Sequence, residues 1–112
     1  VVIWGTGTVK REFIFADDLA EGLVQLMEQY EGPGAINIGT GEDLTILELA
    51  HLMKEAVGYT GSIKTDPSRP DGTPRKVLDV SRIRAMGFKP RHSLKEGLGK
   101  TYAWALENKI FG

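Results

Sequence analysis

Thr45 and Glu48 stand three residues apart, immediately ahead of the apolar run "ILELAHLMKEAV". That spacing fixes where a helix must begin. A threonine hydroxyl at the N-cap accepts from the N3 amide while the N3 glutamate reaches back to the N-cap amide, so two orphan donors are satisfied together. Leu44 and Leu49 fall at the positions of a hydrophobic staple around the cap. Gly58 tolerates the left-handed conformation that closes a helix, so the spacing predicts a helix over 46–57. Ser93 and Glu96 repeat the device and predict a last helix over "LKEGLGKTYAWALEN". Gly97 and Gly99 each weaken that helix by about 1 kcal/mol relative to alanine, so packing must hold it.

Shorter, mostly extended stretches lie between and before these helices. "VVIWG", "REFIFA", "AINIG", "SIKTD" and "RKVLDV" read as strands, and "TGED" as a loop. "DDLAEGLVQLMEQY" carries Ala20, Leu23, Val24, Met27 and Tyr30 at the spacing of one helix face, with Asp17 or Asp18 as its N-cap. A short helix near "SRIRAM" ends at Gly87. Strands and helices alternate, which predicts a mixed α/β fold. At 112 residues the chain suits one domain. It opens on a strand-like run without methionine, so it reads as a piece of something longer.

Composition removes several function classes. The net charge of −1 gives no global basic field for nucleic acid, so any anion recognition must be local. There is no cysteine, hence no thiolate chemistry or cysteine-based zinc site. No apolar run approaches a membrane span and no signal-peptide pattern opens the chain, so a cytoplasmic setting is expected. Two Gly-Thr-Gly triplets invite a nucleotide reading, but neither fits. "GTGTVK" lacks P-loop spacing, and "IGTGEDLT" has Leu44 in place of the third fingerprint glycine, with Glu42 and Asp43 to repel a pyrophosphate. His51 and His92 lack partners at metal spacing and read as surface or packing residues. No serine lies in a nucleophile elbow and no tyrosine precedes a lysine by four, so no catalytic set is expected in this chain.

Binding chemistry is better represented. Trp4 closes a strand and Arg11 follows a flexible loop. Together they could offer a flat apolar wall and a planar fork for phosphate, or be a core aromatic and a solvated cation. "RPDGTPRK" sets two prolines and Gly72 beside Arg69, Arg75 and Lys76, with Asp71 able to accept from a hydroxyl or amine. Side chains alternate along an extended segment, so only one of Arg75 and Lys76 can face a given cleft. A rigid connector remains the other reading of this loop.

The order of the segments then matters. "VVIWGTGTVKREFIFADDLAEG", "INIGTGEDLTILELA", "RPDGTPRKVLDVSRIRAMGF" and "SLKEGLGKTYAWALEN" together resemble the C-terminal part of the GDP-L-fucose synthases. These belong to the extended short-chain dehydrogenase/reductase (NAD-dependent epimerase/dehydratase) family. The resemblance covers essentially the whole chain, residues 1–112. It implies a small mixed α/β substrate-binding domain that lacks most of the Rossmann domain. Its parent reaction would be 3,5-epimerisation and NADPH-dependent 4-reduction of GDP-4-keto-6-deoxy-mannose. The positions matching substrate contacts are Trp4, Arg11, Asp71 and Lys76. Arg11 and Lys76 would oppose the diphosphate, Asp71 would hold a hydroxyl or base amine, and Trp4 would wall the site.

NADP(H) would belong to the parent enzyme, with no cofactor, catalytic or metal-binding residue in this segment. The expected partners are a GDP-sugar and an N-terminal Rossmann domain, without nucleic acid or membrane. An alternative is a stand-alone oligomerisation module derived from such an enzyme, and a homo-oligomer is expected. Phe15–Ala16 departs from relatives, which commonly have histidine and a small apolar residue there.

Overall fold

In a computed structural model describing residues 1–111, nine elements follow in the order β1 (Val2–Trp4), β2 (Lys10–Glu12), α1 (Ala16–Gln29), β3 (Asp43–Thr45), α2 (Ile46–Val57), β4 (Lys64–Asp66), β5 (Arg75–Lys76), α3 (Ser81–Ala85) and α4 (Leu94–Glu107). Strands β1 and β4 pair in parallel, Trp4 opposite Asp66. The other sheet has the order β3-β2-β5, with β2 antiparallel to β3 and parallel to β5. The fold is mixed α/β, as expected, but the ladders are shorter than the extended stretches that contain them.

Both capping boxes form. The Glu48 N–H donates to Thr45 Oγ1 at 3.1 Å while the Thr45 N–H donates to Glu48 Oε2 at 2.7 Å. Ser93 and Glu96 reproduce the pair at 3.2 and 2.7 Å. Gly58 closes α2 at φ 68°, the left-handed geometry that glycine adopts without strain. The two capped helices pack against one another.

Helix α1 differs from its sequence reading in two ways. Its N-cap is Phe15, with no side-chain cap, rather than Asp17 or Asp18. Asp18 turns inward instead, fully buried, and accepts from the His92 N–H at 3.0 Å while its other oxygen meets His92 Nδ1 at 2.9 Å. Burial pushes this carboxyl up, yet the His92 ring and the N–H groups of His92 and Arg91 together hold it below its ordinary value.

The apolar stripe is also reversed. Leu23, Val24 and Met27 face solvent, Met27 at 79% exposure, whereas the inward face carries Asp18 and Gly22, with Leu26 packed at the core. The helix is apolar on both sides, and the side chosen is the one that lets Asp18 reach His92.

"AINIG" forms no ladder among the described residues. An extended segment becomes a strand only when a neighbouring backbone completes its hydrogen bonds. Here side chains tie the segment instead: Arg82 Nη1 donates to the Ala35 carbonyl at 2.9 Å, and the Asn37 side chain itself reaches out to the Asp79 carbonyl at 3.1 Å.

The core is small: Val80, Ile83 and Phe88 are buried, flanked by Ile14, Leu26, Ile36 and Ile38. The radius of gyration is 16.5 Å, whereas a compact domain of this length would have about 13 Å. No described helix is long and apolar enough to cross a membrane.

Gly22 lets α1 approach this core. A Cβ there would lie 2.9 Å from Phe88 Cε2 and 3.1 Å from Ile38 Cγ2, while one at Gly99 would meet nothing within 4 Å. Gly22→Ala is therefore expected to destabilise, because overpacking of about 1–3 kcal/mol exceeds the helix-propensity gain of about 1 kcal/mol. Gly99→Ala, on the exposed side of α4, is expected to stabilise by about 0.5–1 kcal/mol. Urea denaturation midpoints should move in opposite directions, and a Gly22→Ala chain as stable as the parent would contradict this packing.

Candidate functional site

Strand β2 lies between two neighbours, and its register with β5 sets Arg11 directly opposite Lys76. Paired residues of adjacent strands project to the same face of a sheet. Arg11 and Lys76 accordingly line one cavity of about 460 Å³, together with Glu12, Ile38, Gly39 and Leu78. Arg11 Nη1 donates to the carbonyls of Lys10 at 2.6 Å and Thr73 at 2.7 Å, which aims the fork. Its Nε and Nη2, and the Lys76 ammonium, hold no hydrogen bond among the described residues. The site therefore presents two cations whose charge is largely uncommitted.

Glu12 sits beside them but is fully engaged. Its carboxylate accepts the Gly41 N–H at 3.0 Å and the Leu78 N–H at 2.8 Å. A Cβ at Gly39 would lie 1.9 Å from Glu12 Oε1, so only glycine allows the approach. These contacts staple the 39–41 turn to β2 and to the chain beyond β5. They also occupy the Gly41 amide, one of the donors that a phosphate-cradling "IGTG" turn would have to offer.

The cations of the "RPDGTPRK" loop serve different neighbours. Arg69 lies over the Trp4 ring, 5.0 Å from its centroid, and 3.8 Å from the Asp66 carboxylate. Arg75 is ion-paired with Asp43 of β3. That guanidinium holds the Asp43 carboxyl below its ordinary value, and its own pKa is raised in return. Lys76 turns to the cavity.

Of the four residues expected from the sequence, the structure brings Arg11 and Lys76 together. Trp4 and Asp71 stand elsewhere on the same surface. Trp4 is 71% exposed at the end of β1, with Arg69 over its ring. Asp71 accepts from the Thr6 N–H at 2.9 Å and the Thr6 hydroxyl at 2.8 Å. Sequence reasoning missed Glu12 and Thr6, and singled out Arg69 as a loop cation without its place over Trp4. Glu12 could have been suspected as an acidic residue inside an extended stretch; Thr6 carries no comparable signal.

A larger cavity of about 730 Å³ is lined by Phe13, Phe15, Phe88, Arg84, Lys89 and His92, among others. Most of its polar groups are committed. Arg84 Nη2 donates to the Thr40 carbonyl at 2.6 Å, Arg91 pairs with Glu21 at 3.1 Å and His92 is bound to Asp18. The Phe15 ring meets His92 edge-on at 5.0 Å, and Gly97 admits Phe15 against α4, since a Cβ there would lie 3.0 Å from Phe15 Cβ. Among the described residues no three histidine or acidic side chains group as a metal site would need.

Comparison with known proteins places this geometry. Residues 1–39 match the model of the NAD dependent epimerase/dehydratase family. The sequence is 53% identical to probable GDP-L-fucose synthase 1 of Oryza sativa subsp. japonica, across 98% of this chain and 34% of that protein. It is 46% identical to the GDP-L-fucose synthase of Escherichia coli, across 97% of this chain and 37% of that protein. A crystal structure of a GDP-L-fucose synthetase from Naegleria fowleri bound to NADP overlays with a TM-score of 0.90 at 26% identity, covering 97% of this chain and 35% of that one. The chain thus spans about a third of the length of the curated relatives it matches. The resemblance carried by the ordered motifs holds: nearly the whole chain matches GDP-L-fucose synthases, and its first 39 residues match the NAD dependent epimerase/dehydratase family.

Proposed function

We propose that residues 1–112 are the C-terminal, substrate-binding region of a GDP-L-fucose-synthase-like enzyme. The parent enzyme would convert GDP-4-keto-6-deoxy-mannose to GDP-L-fucose with NADPH, the cofactor and the catalytic groups lying in the Rossmann domain. This chain alone binds the nucleotide sugar and does not turn it over. The single observation that carries the reading is the Arg11–Lys76 pair, two cations in register on one cavity wall, with Arg11 bonded only through Nη1 to backbone carbonyls. An arginine fork and a lysine point charge facing the same space suit the two adjacent charges of a diphosphate. Trp4 walls the site beyond them, and Asp71 holds a hydroxyl or base amine of the ligand.

Isothermal titration of this chain with GDP tests the assignment. Binding in the micromolar range is expected, weakening as ionic strength screens the exposed cations. Arg11→Ala and Lys76→Ala should each lower affinity by about tenfold or more, the loss of a charge-assisted hydrogen bond. Absence of binding at millimolar GDP, or unchanged affinity in both variants, would overturn it.

A second reading rests on a separate observation. Leu23, Val24 and Met27 form an exposed apolar stripe on α1, in a chain less compact than its length allows. In the parent enzyme the Rossmann domain would cover this stripe, and in the isolated chain a second copy would do so. Light scattering should then report a dimer or larger species at high concentration, returned to monomer by Met27→Glu. A strict monomer at every concentration would remove the oligomeric module from consideration.

A further inference from the structure

Glu12 puts a negative charge on the wall of a cavity that Arg11 and Lys76 otherwise make cationic. Such a carboxylate repels an anionic ligand, so its place there calls for a compensating role. No lysine, arginine or histidine is ion-paired with it among the described residues. Both oxygens go to backbone donors instead: Oε1 accepts the Gly41 N–H, 29 residues away, and Oε2 the Leu78 N–H, 66 residues away. Gly39 leaves room for this, since a Cβ there would collide with Oε1 and lie 3.3 Å from Leu78 Cδ1.

The bond to Leu78 bears on the ligand. The ladder between β2 and β5 has two pairs, Lys10 with Arg75 and Arg11 with Lys76. At one end the Lys10 N–H donates to the Pro74 carbonyl at 2.8 Å. At the other end the ladder stops, and the Glu12 side chain takes the place of the next rung by holding the Leu78 amide at 2.8 Å. To hold Leu78 is to hold Lys76, two residues before it.

We propose that Glu12 is a positioning residue, whose bond to Leu78 fixes the register that sets Lys76, rather than Arg75, beside Arg11 on the cavity wall. A slip of one residue would bring Arg75 there and turn Lys76 away. The proposal deepens the nucleotide-sugar reading and rests on it only for the ligand that the two cations meet.

GDP binding separates this role from that of a bystander charge, because the two predict opposite signs. Glu12→Gln cancels the charge, keeps the length and leaves one acceptor oxygen for two amides; Glu12→Ala removes both acceptors. Both variants are expected to weaken GDP binding, Glu12→Ala by about three- to tenfold, although a repulsive charge has been removed. Tighter or unchanged binding in both would overturn the proposal. A general loss of structure would leave the two sites independent, whereas positioning couples them. Lys76→Ala should therefore cost less than about threefold in the Glu12→Ala background, against about tenfold in the parent. Fully additive losses would equally overturn the proposal.

Amide hydrogen exchange without ligand tests the same contact. Gly39→Ala displaces the Glu12 carboxylate but keeps its charge. The Leu78 amide should exchange about tenfold faster in Gly39→Ala and in Glu12→Gln than in the parent, with the amides of α2 unchanged. Unaltered Leu78 exchange in both variants contradicts the positioning role. Should the parent chain fail to bind GDP, the nucleotide reading falls while this comparison still decides whether Glu12 holds the register.

Discussion

The parallel pairing of β2 with β5 is two residues long, and the arrangement of charge on this surface depends on it. Register decides that Arg11 stands opposite Lys76. Alternation then sends the preceding residue, Arg75, to the other face, where Asp43 of β3 takes it as an ion pair. A one-residue slip would exchange these partners, place Arg75 on the cavity wall and strand Asp43 without its cation. So short a ladder cannot hold its register alone. Glu12, bonded to the Gly41 and Leu78 amides, and the Lys10 N–H bonded to the Pro74 carbonyl, lock the strands from both ends.

The remainder of the chain supports that platform without closing around it. The core rests on Val80, Ile83 and Phe88, while several large apolar side chains stay in solvent, among them Leu23, Val24 and Met27. An exposed apolar helix face of this kind is what the proposed covering domain would bury. This agrees with a chain that spans about a third of its relatives. The Asp18–His92 pair gives the open assembly a fixed joint: it ties α1 to the segment ahead of α4 with a carboxylate that is buried yet fully bonded.

Features governed by neighbours in sequence were legible. Thr45–Glu48 and Ser93–Glu96 each complete a hydrogen-bonded ring within one helical turn, so spacing alone defines them, and both helix starts follow. The faces of α1 were not legible, because the periodic stripe Leu23, Val24, Met27 and the inward-facing residues Asp18 and Gly22 lie on opposite sides of one helix. The choice between them is made by His92, 74 residues from Asp18. The strand expected at "AINIG" failed for a related reason: sequence marks an extended segment but not whether a neighbour will accept its ladder. At the site, the resemblance rather than residue type pointed to Arg11 and Lys76 together, because residue type left Arg75 and Lys76 as equal candidates. That Asp71 accepts from Thr6 was not legible, since Thr6 has no chemistry to announce itself.

Three cavities could take a ligand: one beside Arg11 and Lys76, a larger one among Phe13, Phe88 and His92, and one along α1 beside Glu21, Glu28 and Lys89. The cavity beside β2 is favoured because two cations in register, Arg11 and Lys76, face it with donors free among the described residues, whereas in the larger one Arg91 is ion-paired with Glu21 and His92 is bonded to Asp18. The direct test is an amide chemical-shift titration of the ¹⁵N-labelled chain with GDP. The largest shifts are expected at residues 10–12 and 75–78, with little change over residues 84–94. Shifts concentrated over 84–94, with β2 and β5 unmoved, would contradict the assignment of the nucleotide to the cationic pair.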